Sequence, residues 1–159
     1  MPTAKATPFA VKTILVPTDF SEGSQAALDY AVNLAKSFGS KIVLLHVIET
    51  TTYTMTEALQ LVNVYEVVRT AVEPVLDQMV TDLQQQKLSV SRAVAQGASA
   101  HEIVSQAREV GADLIVMGTH GRRGVNHLMV GSVAERVVRT AACPVLTVRQ
   151  PVTGAGQTK

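Results

Sequence analysis

Short runs of apolar, mostly aliphatic residues alternate with longer amphipathic segments along most of the chain. A run of apolar and β-branched residues bounded by turn-forming residues is typical of a strand. Strands that alternate with helices form parallel α/β sheets, because the helical crossover returns the chain to the same edge of the sheet. The runs predict five strands, at residues 13–18, 41–47, 88–95, 112–118 and 143–149.

The segments between the strands predict four helices, whose apolar residues recur every three or four positions. Gly39 follows the first helix, and glycine readily adopts the left-handed conformation in which many helices end. Pro74 interrupts the second helical segment, so we expect either a kink or two separate helices there. The four segments lie at residues 24–38, at about residues 57–86, at residues 99–110 and from Ser132 onward.

Serine residues stand near the starts of the helices. Ser99 with Glu102, and Ser132 with Glu135, have the spacing of a capping box, in which the serine oxygen accepts a hydrogen bond from the backbone three residues on. We therefore expect Ser99 and Ser132 to be N-cap residues. By the same preference for hydroxyl side chains, the two serines before and within the start of the first helix are expected to be caps, namely Ser21 and Ser24.

The order of the strands in the sheet decides where a ligand could bind. Right-handed crossovers leave few orders, and the order 3-2-1-4-5 makes the first and fourth strands neighbours. The loops "PTDFSEGS" and "GTHGRRG" then meet at the carboxyl edge, where doubly wound sheets bind ligands. We expect one doubly wound domain with helices on both faces, at residues 11–150, between flexible tails at 1–10 and 151–159.

Charge and hydropathy exclude several classes of partner. The chain of 159 residues has 14 Lys and Arg residues against 13 Asp and Glu residues, so its net charge of +1 offers no electrostatic footprint for DNA, RNA or an anionic membrane. No apolar run approaches the roughly 20 residues that span a bilayer, and the first residues lack the apolar core of a signal peptide. A cytoplasmic protein that binds neither nucleic acid nor membrane is therefore expected.

The remaining composition describes the core. Aromatic residues make up 4% of the chain and Trp is absent, so the core must be aliphatic. A single cysteine, Cys143, excludes an internal disulfide and a site of several cysteines, and it fits a reducing compartment. Because Cys143 stands before Pro144 at the start of an apolar run, we expect a buried structural thiol and not a reactive one.

The glycine-rich stretch after the fourth strand departs from two common phosphate motifs. Ser132 follows Gly131 directly, without the lysine that a P-loop requires after its glycine, and residues 118–124 read GxxGxxG instead of GxGxxG. Backbone N–H groups near glycine can nevertheless approach an anion, and the helix that begins at Ser132 directs its positive end at the loop. The alternative is that the glycines only form turns and Ser132 only caps the helix.

The spacing Gly118-x2-Gly121-x9-Gly131-Ser132 resembles the nucleotide-binding signature G-x2-G-x9-G-[S/T] of the universal stress proteins, in the branch that binds ATP. The resemblance covers residues 11–149 and includes "ILVPTDFSEGSQAAL", "KIVLLHVIE", "LIVMGTHG" and "PVLTV". It implies a Rossmann-like fold of the adenine nucleotide alpha hydrolase-like type. It also implies a stress-adaptation module that is regulated by ATP or another adenine nucleotide.

The resemblance further implies which residues contact the nucleotide. The Asp19 carboxylate would accept hydrogen bonds from the ribose hydroxyls, and the backbone of Val47 would contact the adenine edge. Mg²⁺ or Mn²⁺ would bridge the phosphates, since little protein charge is available to neutralise them. The implied nucleotide-binding residues are Pro17, Thr18, Asp19, Val47, Met117, Gly118, His120, Gly121, Gly131, Ser132 and Val133.

Several of these residues have simpler interpretations. Asp19 could cap the first helix or its preceding turn, and Val47 could pack at the end of its strand. His120 could be an exposed loop residue. For Arg122 and Arg123 we favour solvated charges over a lid that folds onto a triphosphate.

Two other histidines offer weaker signals. His101-Glu102 begins like the zinc-protease motif HExxH, but the last position is Ser105, so that metal site is excluded. His46 lies in the second strand and is expected to be a hydrogen-bonded structural histidine. We therefore predict no protein metal site.

The sequence contains no arrangement of residues that indicates catalysis. We find no nucleophile with its base and no certain cation at the transferred phosphoryl group, so we expect a binding module without catalytic residues. A slow ATPase is one alternative, and a sensor of AMP or of a cyclic adenine nucleotide is another. The apolar strand at residues 144–149 would form an edge of the sheet, which predicts a homodimer, as the resemblance also implies.

Overall fold

The structure, a computed structural model, describes residues 10–49, 55–119 and 131–149, without the side chains of residues 55–63. The tails that the sequence predicts as flexible lie outside this range apart from Ala10. Strands and helices alternate as predicted. In chain order the elements are β1 (Thr13–Pro17), α1 (Glu22–Phe38), β2 (Lys41–Glu49), α2 (Met55–Gln85), β3 (Ser89–Gly97), α3 (Ser99–Glu109), β4 (Leu114–Gly118), α4 (Ser132–Thr140) and β5 (Val145–Val148).

The five strands form one parallel sheet in the predicted order β3-β2-β1-β4-β5. Two apolar layers cover its faces, one beneath α1 and α2 and the other beneath α3 and α4. In β1, Ile14 and Val16 point into the first layer and Leu15 into the second, and all three are fully buried. A strand buried on both faces has a continuous apolar sequence, which confirms the prediction of a doubly wound sheet.

Helix α1 begins and ends where its sequence predicts. Ser21 is the N-cap, and its side-chain oxygen accepts a hydrogen bond of 3.2 Å from the N–H of Ser24. Gly39 ends the helix with φ +69°, and its N–H donates to the carbonyl of Ala35. Ser24 is not a cap, because it lies inside the helix and its hydroxyl donates back to the carbonyl of Ser21 at 2.9 Å.

The two predicted capping boxes are wrong by one residue. The N-caps of α3 and α4 are Ala98 and Gly131, and neither helix has a side-chain cap. Ser99 and Ser132 are therefore the first helical residues, from which a side chain does not reach the backbone of the next turn. Ser99 instead donates a hydrogen bond of 2.6 Å to a carboxylate oxygen of Glu49.

Two boundaries also differ from the prediction. Helix α2 continues through Pro74 as one element, so of the two alternatives for this proline the division into separate helices is wrong. Fully buried Leu76 and nearly buried Leu83 hold the segment after the proline against the sheet, which outweighs the lost backbone hydrogen bond. Strand β2 extends beyond its predicted end to Glu49, because it pairs with β3 as far as Gly97.

Cys143 is partly buried beside the layer under α3 and α4. Burial raises the pKa of its thiol, so the reactive thiolate is disfavoured. The side chain is thus less buried than the sequence predicts, but the raised pKa agrees with a structural and not a reactive thiol. In the part of the chain that the structure describes, no helix has the length and apolar character to cross a membrane.

An ionic cluster joins the edge strand β3 to α2. The Arg92 guanidinium donates to both carboxylate oxygens of Asp77, at 2.5 and 3.1 Å, and lies 3.5 Å from Glu73. Arg69 donates to the same Glu73 oxygen at 2.9 Å. Hydrogen bonds from Arg92 lower the pKa of Asp77, and those from Arg69 lower the pKa of Glu73. A charged side chain on an edge strand also discourages pairing with another chain.

We expect Leu76→Ala to lower the free energy of unfolding by about 2–5 kcal/mol, because it removes a fully buried side chain and leaves a cavity. Urea unfolding monitored by circular dichroism measures this change. Val67→Ala on the same helix is the control, since Val67 is 69% exposed and its loss should change stability by less than about 0.5 kcal/mol. Equal effects of the two substitutions would contradict the assigned core.

We expect the stabilising effect of Arg92 to depend on pH. The pKa values of Asp77 and Glu73 are lower in the folded than in the unfolded chain, so the ion pairs stabilise the fold above the unfolded pKa values of about 4. That stabilisation is lost as the pH falls through the folded pKa values. Wild type should therefore unfold at higher urea than Arg92→Gln at pH 7, and the difference should shrink toward pH 3. An unchanged difference at pH 3 would rule out this electrostatic origin.

Candidate functional site

The candidate site lies at the carboxyl edge of the sheet, between β1 and β4. From β1 the chain enters α1 on one face, and from β4 it continues to α4 on the other face. The helices that follow these neighbouring strands therefore lie on opposite faces of the sheet, which is the position at which doubly wound sheets bind ligands. The carboxyl ends of β1, β2 and β4 and the N-terminus of α4 contribute the residues that the sequence predicts.

Pro17 ends the hydrogen-bonded ladder between β1 and β4. The two strands pair at Ile14 with Leu114 and at Leu15 with Ile115, and no further pair follows. In a parallel ladder the next pair would need the N–H of residue 17 to donate to the carbonyl of Val116. Proline has no N–H, so the hydrogen-bonded ladder between β1 and β4 cannot continue at this residue.

The backbone of Val47 faces the place where β1 has ended. The N–H of Thr18 donates to the carbonyl of Leu45 at 2.8 Å, so the polar backbone groups of Leu45 point toward β1. Backbone direction alternates along a parallel strand, and Val47 therefore points its N–H and C=O to the same side, beyond the end of β1. No described residue occupies these two groups. They offer one donor and one acceptor side by side at the carboxyl edge.

Asp19 lies in a tight turn that hydrogen bonds fix on both sides. Thr18 is 6% exposed, and its hydroxyl oxygen accepts a hydrogen bond of 3.1 Å from the N–H of Phe20. One Asp19 carboxylate oxygen accepts from both the N–H and the hydroxyl of Ser21. Asp19 thus orders the residues that lead into α1, which is the capping role that the sequence offers as the alternative to ribose binding. These hydrogen bonds also hold its carboxylate at the carboxyl edge of the sheet.

Phe20 lies next to Asp19 but is not among the residues that the sequence predicts for this site. Its φ of +63° lies in the left-handed region, which costs a residue with a side chain about 1–2 kcal/mol. The ring of Phe20 stacks on His46, with centroids 4.7 Å apart and an angle of 26° between the planes. No local sequence pattern indicates this conformation, because Phe is rare there and the partner ring comes from β2. His46 is hydrogen-bonded, as predicted, through Nδ1 to the carbonyl of Thr18 at 2.8 Å.

The N-terminus of α4 is fastened to the end of β4. The N–H of Gly131 donates to the carbonyl of Thr119 at 2.7 Å, so this N–H is used within the chain. The helix then begins at Ser132, and the N–H groups of Ser132, Val133 and Ala134 have no acceptor within the helix. Gly131 has no side chain that could cap them. Three backbone donors and the positive end of the helix dipole therefore face the carboxyl edge.

The other predicted residues are placed differently. Met117 is 5% exposed, and its side chain packs in the layer under α3 and α4. Gly118 is the last residue of β4 and pairs with Val148. His120 and Gly121, together with the arginine pair that follows them, lie outside the described residues. The structure thus brings to one edge Pro17, Thr18, Asp19, Val47, Gly118, Gly131, Ser132 and Val133.

Two further features bear on ligands. Within the described ranges, no group of three His, Cys, Asp or Glu side chains could hold a metal ion. A groove of about 370 Å³ lies between α1 and α2, with an apolar floor that includes Leu28 and Met79. None of the predicted nucleotide-binding residues lines that groove. Among the described residues that the sequence predicts for nucleotide binding, the polar groups at the carboxyl edge are therefore mainly backbone N–H and C=O groups together with the Asp19 carboxylate.

Proteins of known sequence and structure resemble this chain over most of its length. The family model described as universal stress protein family matches residues 10–149. A universal stress protein of Methanocaldococcus jannaschii is 34% identical over 143 residues, which cover 88% of this chain and 83% of that protein.

Solved structures agree with this match. The universal stress protein UspA from Lactobacillus plantarum has a TM-score of 0.80 at 26% identity, covering 88% of this chain and 99% of that one. A universal stress protein in complex with cAMP has a TM-score of 0.57 at 27% identity, covering 88% of this chain and 98% of that one. The chain belongs to the universal stress protein family.

Proposed function

We propose that the protein binds ATP at the carboxyl edge and acts as a nucleotide-dependent regulatory module in stress adaptation. The observation that carries this proposal is the uncapped N-terminus of α4, which the hydrogen bond from Gly131 to Thr119 fixes beside the end of β4. Helix N-termini of this kind bind phosphate groups. The nearby turn at Asp19 and the free backbone edge at Val47 suit the other two parts of an adenine nucleotide.

The backbone of Val47 matches the edge of adenine. Its N–H can donate to a ring nitrogen, and its C=O can accept from the exocyclic amino group beside it. Guanine instead has an N–H donor where adenine has the ring nitrogen acceptor, and a carbonyl acceptor where adenine has the amino donor. The Val47 backbone therefore favours adenine over guanine, although valine itself carries no polar side chain.

The sugar and phosphates have separate partners. The Asp19 carboxylate can accept from ribose hydroxyls, and the N–H groups of Ser132 and Val133 can donate to phosphate oxygens. None of these phosphate donors carries a full positive charge. Mg²⁺ or Mn²⁺ held by the phosphates would neutralise the remaining charge. The sequence signature alone adds His120 and Gly121 to this proposed site.

The protein is proposed to bind and not to transform the nucleotide. No lysine or arginine among the described residues of this edge is placed to stabilise a transferred phosphoryl group, so any hydrolysis should be slow. A related protein has been solved with cAMP, which favours a cyclic adenine nucleotide as the second candidate ligand. AMP is tested alongside it. The net charge of +1 and the single cysteine suit the cytoplasmic location that we propose.

Calorimetry with Mg²⁺ and ATP, AMP, cAMP or GTP tests the proposal directly. We expect binding of ATP and no comparable binding of GTP. Gly131→Asp should weaken ATP binding at least about tenfold, because an aspartate at the N-cap accepts from the helix donors itself and repels the phosphates. The variant should keep its melting temperature, since Gly131 has φ −61° and ψ 150°, which any residue adopts.

Gly131→Ala is the matched control, because it adds a Cβ atom without an oxygen that could compete for the donors. It should lose less affinity than Gly131→Asp. The proposal is wrong if wild type gives no binding heat at millimolar ATP with Mg²⁺, and the assigned phosphate site is wrong if Gly131→Asp binds ATP as wild type does. Mass spectrometry of small molecules released by heating the purified protein identifies the nucleotide without presupposing it.

We also infer a homodimer that pairs through β5, within residues 144–149. Val148 faces β4, where its carbonyl accepts from Thr119 at 3.0 Å. By alternation, the N–H of Thr147 points away from β4 and can pair with a second copy. Leu146, which is 37% exposed on the same strand, would be covered by that copy.

Thr147→Pro tests this pairing, because it removes an outward N–H and leaves the hydrogen bonds to β4 intact. We expect light scattering to give a dimer for wild type and a monomer for Thr147→Pro at micromolar concentration. Thr147→Ala keeps the N–H and should remain a dimer. A monomeric wild type would refute the inferred interface.

A further inference from the structure

The geometry points to His46 as a positioning residue that holds the Asp19 turn in place beneath the ribose. This inference rests on the proposed function, because it needs a nucleotide at the carboxyl edge. His46 acts through the backbone of Thr18 and the ring of Phe20, the residues on either side of Asp19. It is not assigned a contact with the nucleotide.

The first contact fixes the residue before Asp19. His46 Nδ1 lies 2.8 Å from the carbonyl oxygen of Thr18, and a carbonyl can only accept, so Nδ1 must carry the hydrogen. In a continued ladder between β1 and β2, this carbonyl would accept from the N–H of Val47. The imidazole supplies the donor instead. The chain is thereby held at the point where it leaves the sheet.

The second contact fixes the residue after Asp19. The ring of Phe20 stacks on the imidazole at 4.7 Å, while the backbone of Phe20 adopts a φ of +63°. A residue with a side chain remains in this conformation only where its surroundings determine it. The hydrogen bond from the Phe20 N–H to the Thr18 hydroxyl joins the two contacts into one unit. One imidazole therefore holds both neighbours of Asp19.

Three substitutions separate the donor from the bulk of the side chain. His46→Asn places an amide N–H near the position of Nδ1 and can still donate to Thr18. His46→Gln carries the same amide one bond farther out, near the position of the other ring nitrogen. His46→Leu has no donor. All three lose the ring contact with Phe20. A difference in nucleotide preference between the Asn and Gln variants therefore reports the hydrogen bond to Thr18 and not the ring contact.

The test compares ATP with 2′,3′-dideoxy-ATP, which lacks the hydroxyls that the Asp19 carboxylate would accept from. In wild type we expect ATP to bind about tenfold or more tightly than the dideoxy compound. The ratio should fall toward one in His46→Leu and His46→Gln, and His46→Asn, which keeps the donor but not the ring, should recover part of it. A merely structural role would weaken both nucleotides equally and leave the ratio unchanged.

Melting temperatures of all variants show whether they fold, and the Asn and Gln variants carry the test if His46→Leu does not. If wild type binds neither nucleotide, the proposed function and this inference both fail. If wild type prefers ATP and every folded variant keeps the same ratio, the role of His46 alone is overturned. An equal loss of the ratio in the Asn and Gln variants would overturn the role of the Nδ1 hydrogen bond.

Discussion

The missing N–H of Pro17 is the constraint on which the candidate site depends. It ends the ladder between β1 and β4 at Leu15 and Ile115, while β2 continues to Glu49 beside β3. The central strand thus ends first and exposes backbone on its longer neighbour. The Asp19 turn, the backbone of Val47 and the start of α4 all lie at this end of the sheet. A residue with an N–H at position 17 would permit β1 and β4 to pair further.

The order of the strands follows from the sequence, because strands buried on both faces have continuous apolar runs and right-handed crossovers leave few arrangements. The start of α4 was also within reach of sequence reasoning, although the N-cap proved to be Gly131 and not Ser132. Capping-box spacing alone does not distinguish these positions, since serine is acceptable at both. Phe20 and its contact with His46 could not be predicted. A left-handed phenylalanine has no local sequence signal, and its stability comes from a side chain on another strand.

The donors that suit a nucleotide in this protein are mainly backbone groups of ordinary aliphatic residues. In the proposed site Val47 and Val133 would contribute through backbone N–H and C=O groups, which every residue except proline possesses, so packing and not chemistry constrains their identity. The specificity of such a site is determined by where the strands end. The glycine spacing is therefore a more informative sequence signal for such a site than a cluster of charged side chains.

The glycine at the N-cap of α4 leaves the first N–H groups of that helix without a side-chain cap. A serine or aspartate at this position would satisfy its free N–H groups and stabilise the helix by roughly a few tenths of a kcal/mol relative to glycine. A bound anion could supply the same stabilisation from outside the chain. The order of the first turn of α4, and of whatever packs upon it, would then follow the concentration of the ligand. Because Gly131 provides no side-chain cap, the stability of this turn would thus depend on how much nucleotide is bound.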